Sequence, residues 1–139
     1  MKITICGSFT FVEEIKKAVD HLKKRGFEVF TSEPLVTEER YQENHGRENF
    51  LEMKPIWTQN NFKKIQNSDA VLILNLEKKG IKGYFGSNTL MELSVAFFLG
   101  KKIFLLYPIG EEHPHFEELI GMKLIVLHGD LDNLNDGEG

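Results

Sequence analysis

The run Ala70-Val71-Leu72-Ile73-Leu74 is the feature that most constrains the fold of this chain. A strand made only of apolar residues has no polar face, so both of its faces must be covered. Such strands lie at the centre of parallel sheets in α/β proteins, where helices pack on both sides. The run therefore predicts a parallel sheet between two layers of helices.

The rest of the chain alternates between strand-like and helix-like patterns, as a fold of this class requires. We predict helices over 12–25, 38–53, 58–67, 88–99 and 115–120, with Pro55 separating the second from the third. Further strands are predicted over 2–6, 27–31, 103–107 and 123–127. Together these elements predict a three-layer, doubly wound α/β fold, flavodoxin- or Rossmann-like, with about five parallel strands in the order 2-1-3-4-5. We expect one domain over residues 1–139, with residues 129–139 forming a flexible tail.

Composition excludes several classes of partner. Seventeen Lys and Arg against twenty-one Asp and Glu give a net charge of -4 over 139 residues, which argues against a nucleic-acid polymer but not against a single nucleotide. The one cysteine, Cys6, leaves no internal disulfide and fits a reducing compartment. With no signal-peptide pattern and no apolar stretch of the ~20 residues that span a bilayer, we expect a cytoplasmic protein without a membrane partner.

Functional side chains in an open parallel sheet are expected beyond the carboxyl ends of the strands. Gly7, Ser8 and Phe9 follow the first predicted strand, and Asn75 follows the third. We therefore expect these four residues to bind a small-molecule substrate. Asp69 begins the third strand and belongs to the opposite edge, so it is not a catalytic candidate.

Glu92 is the most informative single residue. It is the only charged residue or histidine between Lys82 and Lys101, and the helix around it is otherwise apolar. Because burying an unpaired charge is costly, its carboxylate must either reach solvent or face a polar cavity. Near the helix N-terminus, the dipole favours its ionised form, which suits nucleophilic attack on the anomeric carbon of a sugar. An exposed glutamate that merely complements the dipole remains an equal alternative.

Two glycine-containing turns could hold a phosphate. Gly7-Ser8 precedes the first helix, and Gly86-Ser87-Asn88 precedes the helix of Glu92. Helix N-terminal amides and hydroxyls donate hydrogen bonds to anions, although the residue types alone favour Ser8 and Ser87 or Asn88 as ordinary helix caps. Neither turn has a dinucleotide or Walker pattern, so no cofactor is predicted.

Two further signals have ordinary structural explanations. His113-Pro114-His115 and its acidic neighbours lack the spacing of metal ligands, so we predict a solvated acidic loop and no metal. Cys6 lies inside an apolar strand, which favours a core residue over a nucleophile.

Three segments carry a resemblance to a known superfamily. Residues 3–8, ITICGS, resemble the opening strand and phosphate turn of the 2'-deoxynucleoside 5'-phosphate N-hydrolases. Residues 86–96, GSNTLMELSVA, with GKKI at 100–103, resemble the glutamate-containing region of nucleoside 2-deoxyribosyltransferases, and SDAVL at 68–72 is similar to the third strand of that superfamily. Order and spacing agree from Ile3 to Leu127.

The resemblance implies an N-glycosidase or deoxyribosyltransferase acting on a deoxynucleoside or its monophosphate. Glu92 would be the nucleophile that attacks C1', after which water gives hydrolysis or a second base gives transfer. Ser8 and Ser87 would contact the 5'-phosphate or 5'-hydroxyl, and the loop over 80–86 would border the pocket. The resemblance also implies a homo-oligomer, a dimer or larger, to which Phe97 and Phe98 could contribute; core packing is their alternative.

The sequence departs from the superfamily pattern at three places. Thr4 stands where a tyrosine orients the nucleophile, and the segment before Glu92 offers Tyr84, Gly86 and Ser87 instead of an aspartate. Ser94 replaces a glycine. These departures leave a second hypothesis open, a non-catalytic module that binds a nucleotide or nucleotide sugar on the same fold.

The irregular middle segment also permits two interpretations. Trp57, His45 and Arg47 either fold over the pocket as part of a lid or pack a helix onto the sheet.

Overall fold

A computed structural model describes residues 1–135 of the chain. Its centre is a five-stranded sheet in the order β2-β1-β3-β4-β5, and every strand pair is parallel. The strands are β1 (Lys2–Cys6), β2 (Glu28–Thr31), β3 (Ala70–Ile73), β4 (Lys102–Leu105) and β5 (Ile125–Val126). The predicted fold class and strand order are confirmed, while β5 is shorter than predicted.

The described part of the chain contains five α-helices: α1 (Val12–Lys24), α2 (Glu38–His45), α3 (Arg47–Gln66), α4 (Ser87–Phe98) and α5 (Phe116–Leu119). The apolar run at β3 is divided between two core clusters. Ala70, Leu72 and Leu74 pack with residues of α1, whereas Val71 and Ile73 pack with residues of α3, α4 and α5. This alternation explains why the run needs no polar residue, because successive side chains point to opposite, covered faces.

The predicted helix break at Pro55 is wrong, since α3 continues through this residue. The chain breaks instead at Gly46, which has a φ of 89° and separates α2 from α3. Residues with a Cβ atom rarely adopt this conformation, so glycine is the natural residue there. Pro55 and Leu51 are exposed, and water can satisfy the Leu51 carbonyl that loses its helical partner.

Residues 129–135, which belong to the predicted flexible tail, contact the rest of the domain. Leu134 is fully buried in the α1-side core. Arg25 Nη1 donates to the Leu131 carbonyl at 2.8 Å, and His21 Nε2 lies 2.7 Å from Asp132 Oδ1. Residues 136–139, the remainder of the predicted tail, lie outside the described residues.

Two aromatic residues on α4 are not core residues. Phe97 is 42% exposed and Phe98 is 88% exposed, so core packing does not account for them. A search of residues 1–135 for a helix long and apolar enough to cross a bilayer found none.

Candidate active site

A cavity of about 350 Å³ opens at the carboxyl edge of the sheet. Its walls come from the segments after β1 and β2, from α2 and α3, and from the N-terminal half of α4. Seven of the eight site residues predicted from the sequence line it: Gly7, Ser8, Phe9, Gly86, Ser87, Asn88 and Glu92. The strand-end rule therefore located the cavity correctly.

The side chain of Glu92 lies in the cavity wall and is buried. Glu92 occupies the second turn of α4 and is 7% exposed. Ser32 Oγ donates a hydrogen bond of 2.5 Å to its Oε2 atom. Of the two sequence interpretations, the structure matches a carboxyl group that faces a polar cavity rather than one that reaches solvent.

Burial raises the pKa of Glu92 from its ordinary value of 4.5 to about 7. The hydrogen bond from Ser32 and the positive charges of Lys54 and Lys64 act in the opposite direction but do not cancel burial. Burial therefore outweighs the stabilisation of the ionised form that we expected near the N-terminus of α4. A group with this pKa changes its protonation state near neutral pH, which is useful in a catalytic acid, base or nucleophile.

Ser32, the residue that directly follows β2, holds the Glu92 carboxylate. Its hydroxyl lies 4.0 Å from Cys6 Sγ, and burial raises the pKa of the Cys6 thiol well above its usual range. Thr4 does not provide this contact, because its hydroxyl is 2.7 Å from Ser68 Oγ. The hydroxyl that contacts Glu92 thus comes from the residue after β2 and not from the β1 position where the superfamily pattern has tyrosine.

Asn75 is the predicted site residue that does not line the cavity. Its side chain is fully buried. Nδ2 donates to the Tyr107 carbonyl at 2.8 Å and to the Gly83 carbonyl at 3.3 Å, and Oδ1 accepts from the Tyr107 amide at 2.9 Å. These bonds tie the loops after β3 and β4 together, so we correct the expected role of Asn75 from substrate binding to loop structure.

Helix α3 forms the roof of the cavity with Trp57, which the sequence singled out, and with Lys54 and Asn61, which the sequence interpretation missed. Lys54, Trp57 and Asn61 line the cavity from one face of this helix, at a spacing of one and two turns that could have revealed them. Asn61 Oδ1 accepts from the Glu33 amide, and its Nδ2 donates to the Glu33 carbonyl, both at 2.9 Å. The roof is thereby fixed to the end of β2.

Trp57 is the one lid candidate that reaches the cavity. It is 7% exposed, and its ring is in edge contact with Tyr41 of α2 at a centroid distance of 4.7 Å. His45 and Arg47 are exposed and do not line the cavity. The middle segment therefore covers the site through α3.

The two glycine-containing turns differ in how they are capped. Ser8 Oγ accepts from the Thr10 amide at 3.3 Å and caps a short 3-10 turn over Phe9–Phe11. In contrast, α4 begins after Gly86 with no hydrogen bond from a capping side chain. The ordinary-cap interpretation is thus correct for Ser8 but does not hold for Ser87 or Asn88.

In the histidine-rich loop after β4, Glu111, Glu112 and Glu117 are exposed, as the predicted solvated acidic loop requires, but His113 is not. His113 is 3% exposed and packs against the ring of Phe85 at a centroid distance of 4.6 Å. Its Nδ1 accepts from the His115 amide at 3.1 Å. Burial is the main reason that the pKa of His113 is lowered. No group of three potential ligand side chains is arranged to hold a metal ion within residues 1–135.

Comparison with known proteins places the chain by its fold. No protein-family model matches it, and no curated protein gives a significant match. Among solved structures, a CMP N-glycosidase from Clostridium botulinum is 14% identical, with a TM-score of 0.55 over 96% of this chain and 94% of that one. A 2-deoxyribosyltransferase from Bacillus psychrosaccharolyticus is 18% identical, with a TM-score of 0.61 over 99% and 94% of the two chains.

These two likenesses establish a shared three-layer α/β fold over nearly the whole chain. Because both identities are below one fifth, the chemistry has to be argued from the residues of this chain.

Proposed function

We propose that this protein is an enzyme that cleaves the N-glycosidic bond of a deoxynucleoside or deoxynucleoside monophosphate, or transfers the deoxyribosyl group. Glu92 is the proposed nucleophile. The observation that carries the proposal is a buried carboxyl group with a pKa near 7, which lines a cavity at the catalytic edge of the sheet and is held by Ser32. The solved structures that share the fold are a CMP N-glycosidase and a 2-deoxyribosyltransferase.

The size and lining of the cavity suit a nucleotide-sized ligand. A volume of about 350 Å³ lies in the range of small-molecule sites. Aromatic side chains line it from both sides: Phe9 after β1, Trp57 and Phe62 on α3, and Tyr84 before α4. Such side chains can stack on a base, while Gly7, Ser8 and the α4 turn supply polar groups for the sugar and phosphate.

In the proposed reaction, an ionised Glu92 oxygen forms a bond to C1' as the bond between C1' and the base nitrogen breaks. The bond electrons leave with the base, which takes up a proton and departs. Water then attacks C1' of the glycosyl ester and regenerates the carboxylate, or a second base attacks and gives transfer. Because Ser32 holds Oε2, Oε1 is the oxygen available for attack.

The test is base release, followed by chromatography. The four deoxynucleoside monophosphates and their nucleosides are incubated with the wild-type protein, with and without a second base. Glu92→Gln, which keeps the shape but not the charge, is expected to lose at least about 1,000-fold in rate, as nucleophile variants do. Glu14→Gln, an exposed change on α1, serves as the matched control. Equal base release by wild type and Glu92→Gln would reject the catalytic role.

The competing hypothesis is a non-catalytic module that binds a nucleotide or nucleotide sugar. This hypothesis is favoured by Thr4, which stands where the superfamily has a tyrosine. The Thr4 hydroxyl contacts Ser68 and therefore does not orient Glu92. The non-catalytic hypothesis predicts that nucleotides raise the melting temperature without any base release.

The exposed face of α4 supports a homo-oligomer as part of the same proposal. Met91 and Phe98 stand two turns apart on this helix and are 44% and 88% exposed. Large exposed apolar side chains that cluster are typical of contact surfaces. Met91 also lines the cavity, so a second copy on this face would lie beside the site.

A further inference from the structure

We propose that Lys54 is a second catalytic residue, which protonates the leaving base and then takes a proton from the incoming nucleophile. This inference rests on the proposed function and adds the group that carries the proton. Lys54 lies on α3 in the roof of the cavity, and Glu92 lines the same cavity from α4. The two side chains therefore reach one cavity from different helices.

The departure of a base requires a proton as well as a nucleophile. When the bond between C1' and the base nitrogen breaks, its electron pair stays on the base, which leaves as an anion unless it is protonated. Glu92 cannot supply this proton, because it must be ionised to attack. A positioned general acid usually accelerates such a step by about 100- to 10,000-fold.

Lys54 stands beside the aromatic side chains that could stack on the base. Trp57 lies three residues further along α3 and also lines the cavity, and residues at this spacing are neighbours on a helix surface. Phe50 lies one turn before Lys54, whose Nζ is 5.9 Å from the centre of the Phe50 ring. The ammonium group is thus on the side of the cavity where the base would lie.

An ion pair with Glu38 holds Lys54 in place. Lys54 Nζ donates to Glu38 Oε1 at 3.2 Å, which joins α3 to the first turn of α2. An ammonium group has three protons, so two are left for other acceptors. The two side chains are 36% and 51% exposed, and solvent therefore reaches the pair. Lys54 is a fixed donor that has protons to give.

The other lysine close to the nucleophile has no access to a substrate. The positive charges of Lys54 and Lys64 both lower the pKa of Glu92, but Lys64 does not line the cavity. Its Nζ donates to the Thr31 carbonyl at 2.9 Å and lies 3.7 Å from Glu33 Oε2. Lys64 therefore acts on Glu92 through its charge alone and provides a matched control for Lys54.

The remaining acidic side chains of the cavity are acceptors. Glu38 and Glu39 occupy the first turn of α2 and are exposed, and the N-terminal end of a helix favours an ionised carboxylate. Glu33 Oε1 accepts from Asn60 Nδ2 at 3.0 Å. An ionised carboxylate has no proton to transfer to a base.

Two other proton-bearing side chains lie towards the proposed sugar and phosphate end of the cavity. Tyr84 Oη is 3.9 Å from the position that a Cβ atom at Gly86 would occupy, at the start of α4. Lys78 Nζ donates to Ser8 Oγ and Thr10 Oγ1, at 3.4 and 3.3 Å, in the segment after β1. Lys54 is the proton donor on the base side.

The proposed proton transfers balance over the reaction. In the first step a Glu92 oxygen bonds to C1', the electron pair of the C1'–N bond goes to the base, and Lys54 gives one proton to the base and becomes a neutral amine. In the second step water attacks C1' and gives one proton to Lys54, while the electron pair of the ester bond returns to Glu92. A second base would give its N–H proton to Lys54 in the same way. Lys54 thus acts first as an acid and then as a base.

The experiment compares Lys54→Met, Lys54→Arg and Lys64→Met on two substrates. One is the unmodified deoxynucleoside monophosphate that the wild type cleaves fastest, and the other is 7-methyl-2'-deoxyguanosine 5'-monophosphate. The 7-methylated base carries a positive charge and leaves as a neutral molecule, so it needs no acid. The kcat for base release is measured at pH 9, above the pKa of about 7 of Glu92.

Lys54→Met is expected to lower kcat for the unmodified nucleotide by about 100-fold or more, and for the methylated nucleotide by less than about fivefold. Lys54→Arg keeps the positive charge, but a guanidinium group does not release its proton, so this variant should show the same selective loss. Lys64→Met should change kcat for both substrates by the same factor. Activity of Lys54→Met on the methylated nucleotide also shows that the variant is folded.

Four results would overturn the role of Lys54 while leaving the proposed function intact. These are an unchanged kcat in Lys54→Met, an equal loss on the two substrates, full activity of Lys54→Arg on the unmodified nucleotide, and an equally selective loss in Lys64→Met. A wild type that releases base from no unmodified nucleotide would instead reject the proposed function, and the role of Lys54 with it.

Discussion

Ser32 donates a hydrogen bond of 2.5 Å to Glu92, a residue 60 positions further along the chain. The contact joins the end of β2 to the second turn of α4 and lies on the wall of the main cavity. Both side chains are buried, at 3% and 7% exposure. The bond therefore fixes one oxygen of a carboxyl group that burial has made hard to ionise.

The wild-type enzyme should show a single ionisation in its dependence on pH. A nucleophilic Glu92 must be deprotonated, and its pKa is raised to about 7. We expect kcat/KM for base release to rise tenfold per pH unit below this value and to level off above it. A profile of kcat/KM from pH 5 to pH 9 measures the midpoint. A plateau that extends down to pH 5 would contradict a buried carboxyl as the nucleophile.

Ser32→Ala should move that midpoint upward. The hydrogen bond from Ser32 lowers the pKa of Glu92, so its loss leaves burial less opposed. We expect a loss of roughly tenfold in kcat/KM at pH 7 that is partly recovered at pH 9. The measurement is the same pH profile, and Ser32→Thr, which keeps the hydroxyl, should restore the original midpoint.

Ser94→Ala is the matched control for this prediction. In the wild type, the Ser94 hydroxyl donates to the Leu90 carbonyl at 2.8 Å within α4, and Ser94 does not line the cavity. Its midpoint should equal that of the wild type. A loss in Ser32→Ala that is the same at every pH would show a structural role for Ser32 instead of the positioning of Glu92.

Glu92→Gln should make the protein more stable at high pH. The pKa of Glu92 is about 7 in the folded chain against an ordinary 4.5, so the folded state binds its proton more tightly. Its contribution to stability is complete below pH 4.5 and is lost as the pH rises through 7. Above pH 7, ionisation of Glu92 in the folded state lowers the free energy of unfolding by at most about 3 kcal/mol. Glutamine has no charge and avoids this loss.

Urea unfolding at pH 5 and pH 8 tests this expectation. The free energies of unfolding of wild type and Glu92→Gln should differ little at pH 5, whereas the variant should be the more stable at pH 8. A variant that is less stable than the wild type at pH 8 would mean that the ionised carboxylate is well compensated in the folded state.

Phe98→Glu should weaken self-association. Phe98 is 88% exposed, so a charge at this position costs little in the monomer but is poorly tolerated in an apolar contact. Sedimentation velocity should show the wild type as a dimer or larger and the variant shifted toward monomer. Ile120→Glu, at another exposed apolar residue with 65% exposure, is the control and should leave association unchanged. A monomeric wild type would reject the oligomer.

Local patterns were sufficient to predict the fold. The apolar run at β3 and the alternation of strands and helices indicate a parallel sheet, and the strand order follows from short right-handed connections. Pro55 misled the prediction because a proline on an exposed helix face costs less than one in a core. The contacts of residues 129–135 with the α1 region were not predicted because they join residues that are distant in sequence.

The sequence predicted which residues lie at the carboxyl edge of the sheet. It did not predict the direction in which their side chains point. The two turns were located because they follow a strand or begin a helix, and Glu92 was located because it is the lone charged residue in an apolar helix. Asn75 is at the correct edge, but its amide binds neighbouring loops. Ser32 was missed because a serine after a strand resembles any turn residue. The raised pKa of Glu92 was also missed, because it depends on burial under the α3 roof, which outweighs the helix dipole.

The most direct test of the account is the mass of the protein during turnover. The wild-type enzyme is mixed with a deoxynucleoside monophosphate, quenched in acid while base is being released, digested and analysed by mass spectrometry. A nucleophilic Glu92 should carry a deoxyribosyl phosphate adduct on its peptide in the wild type, and Glu92→Gln should carry none. Base release accompanied by an adduct on any other residue, or by none in a reaction quenched at its earliest time points, would contradict a nucleophilic Glu92.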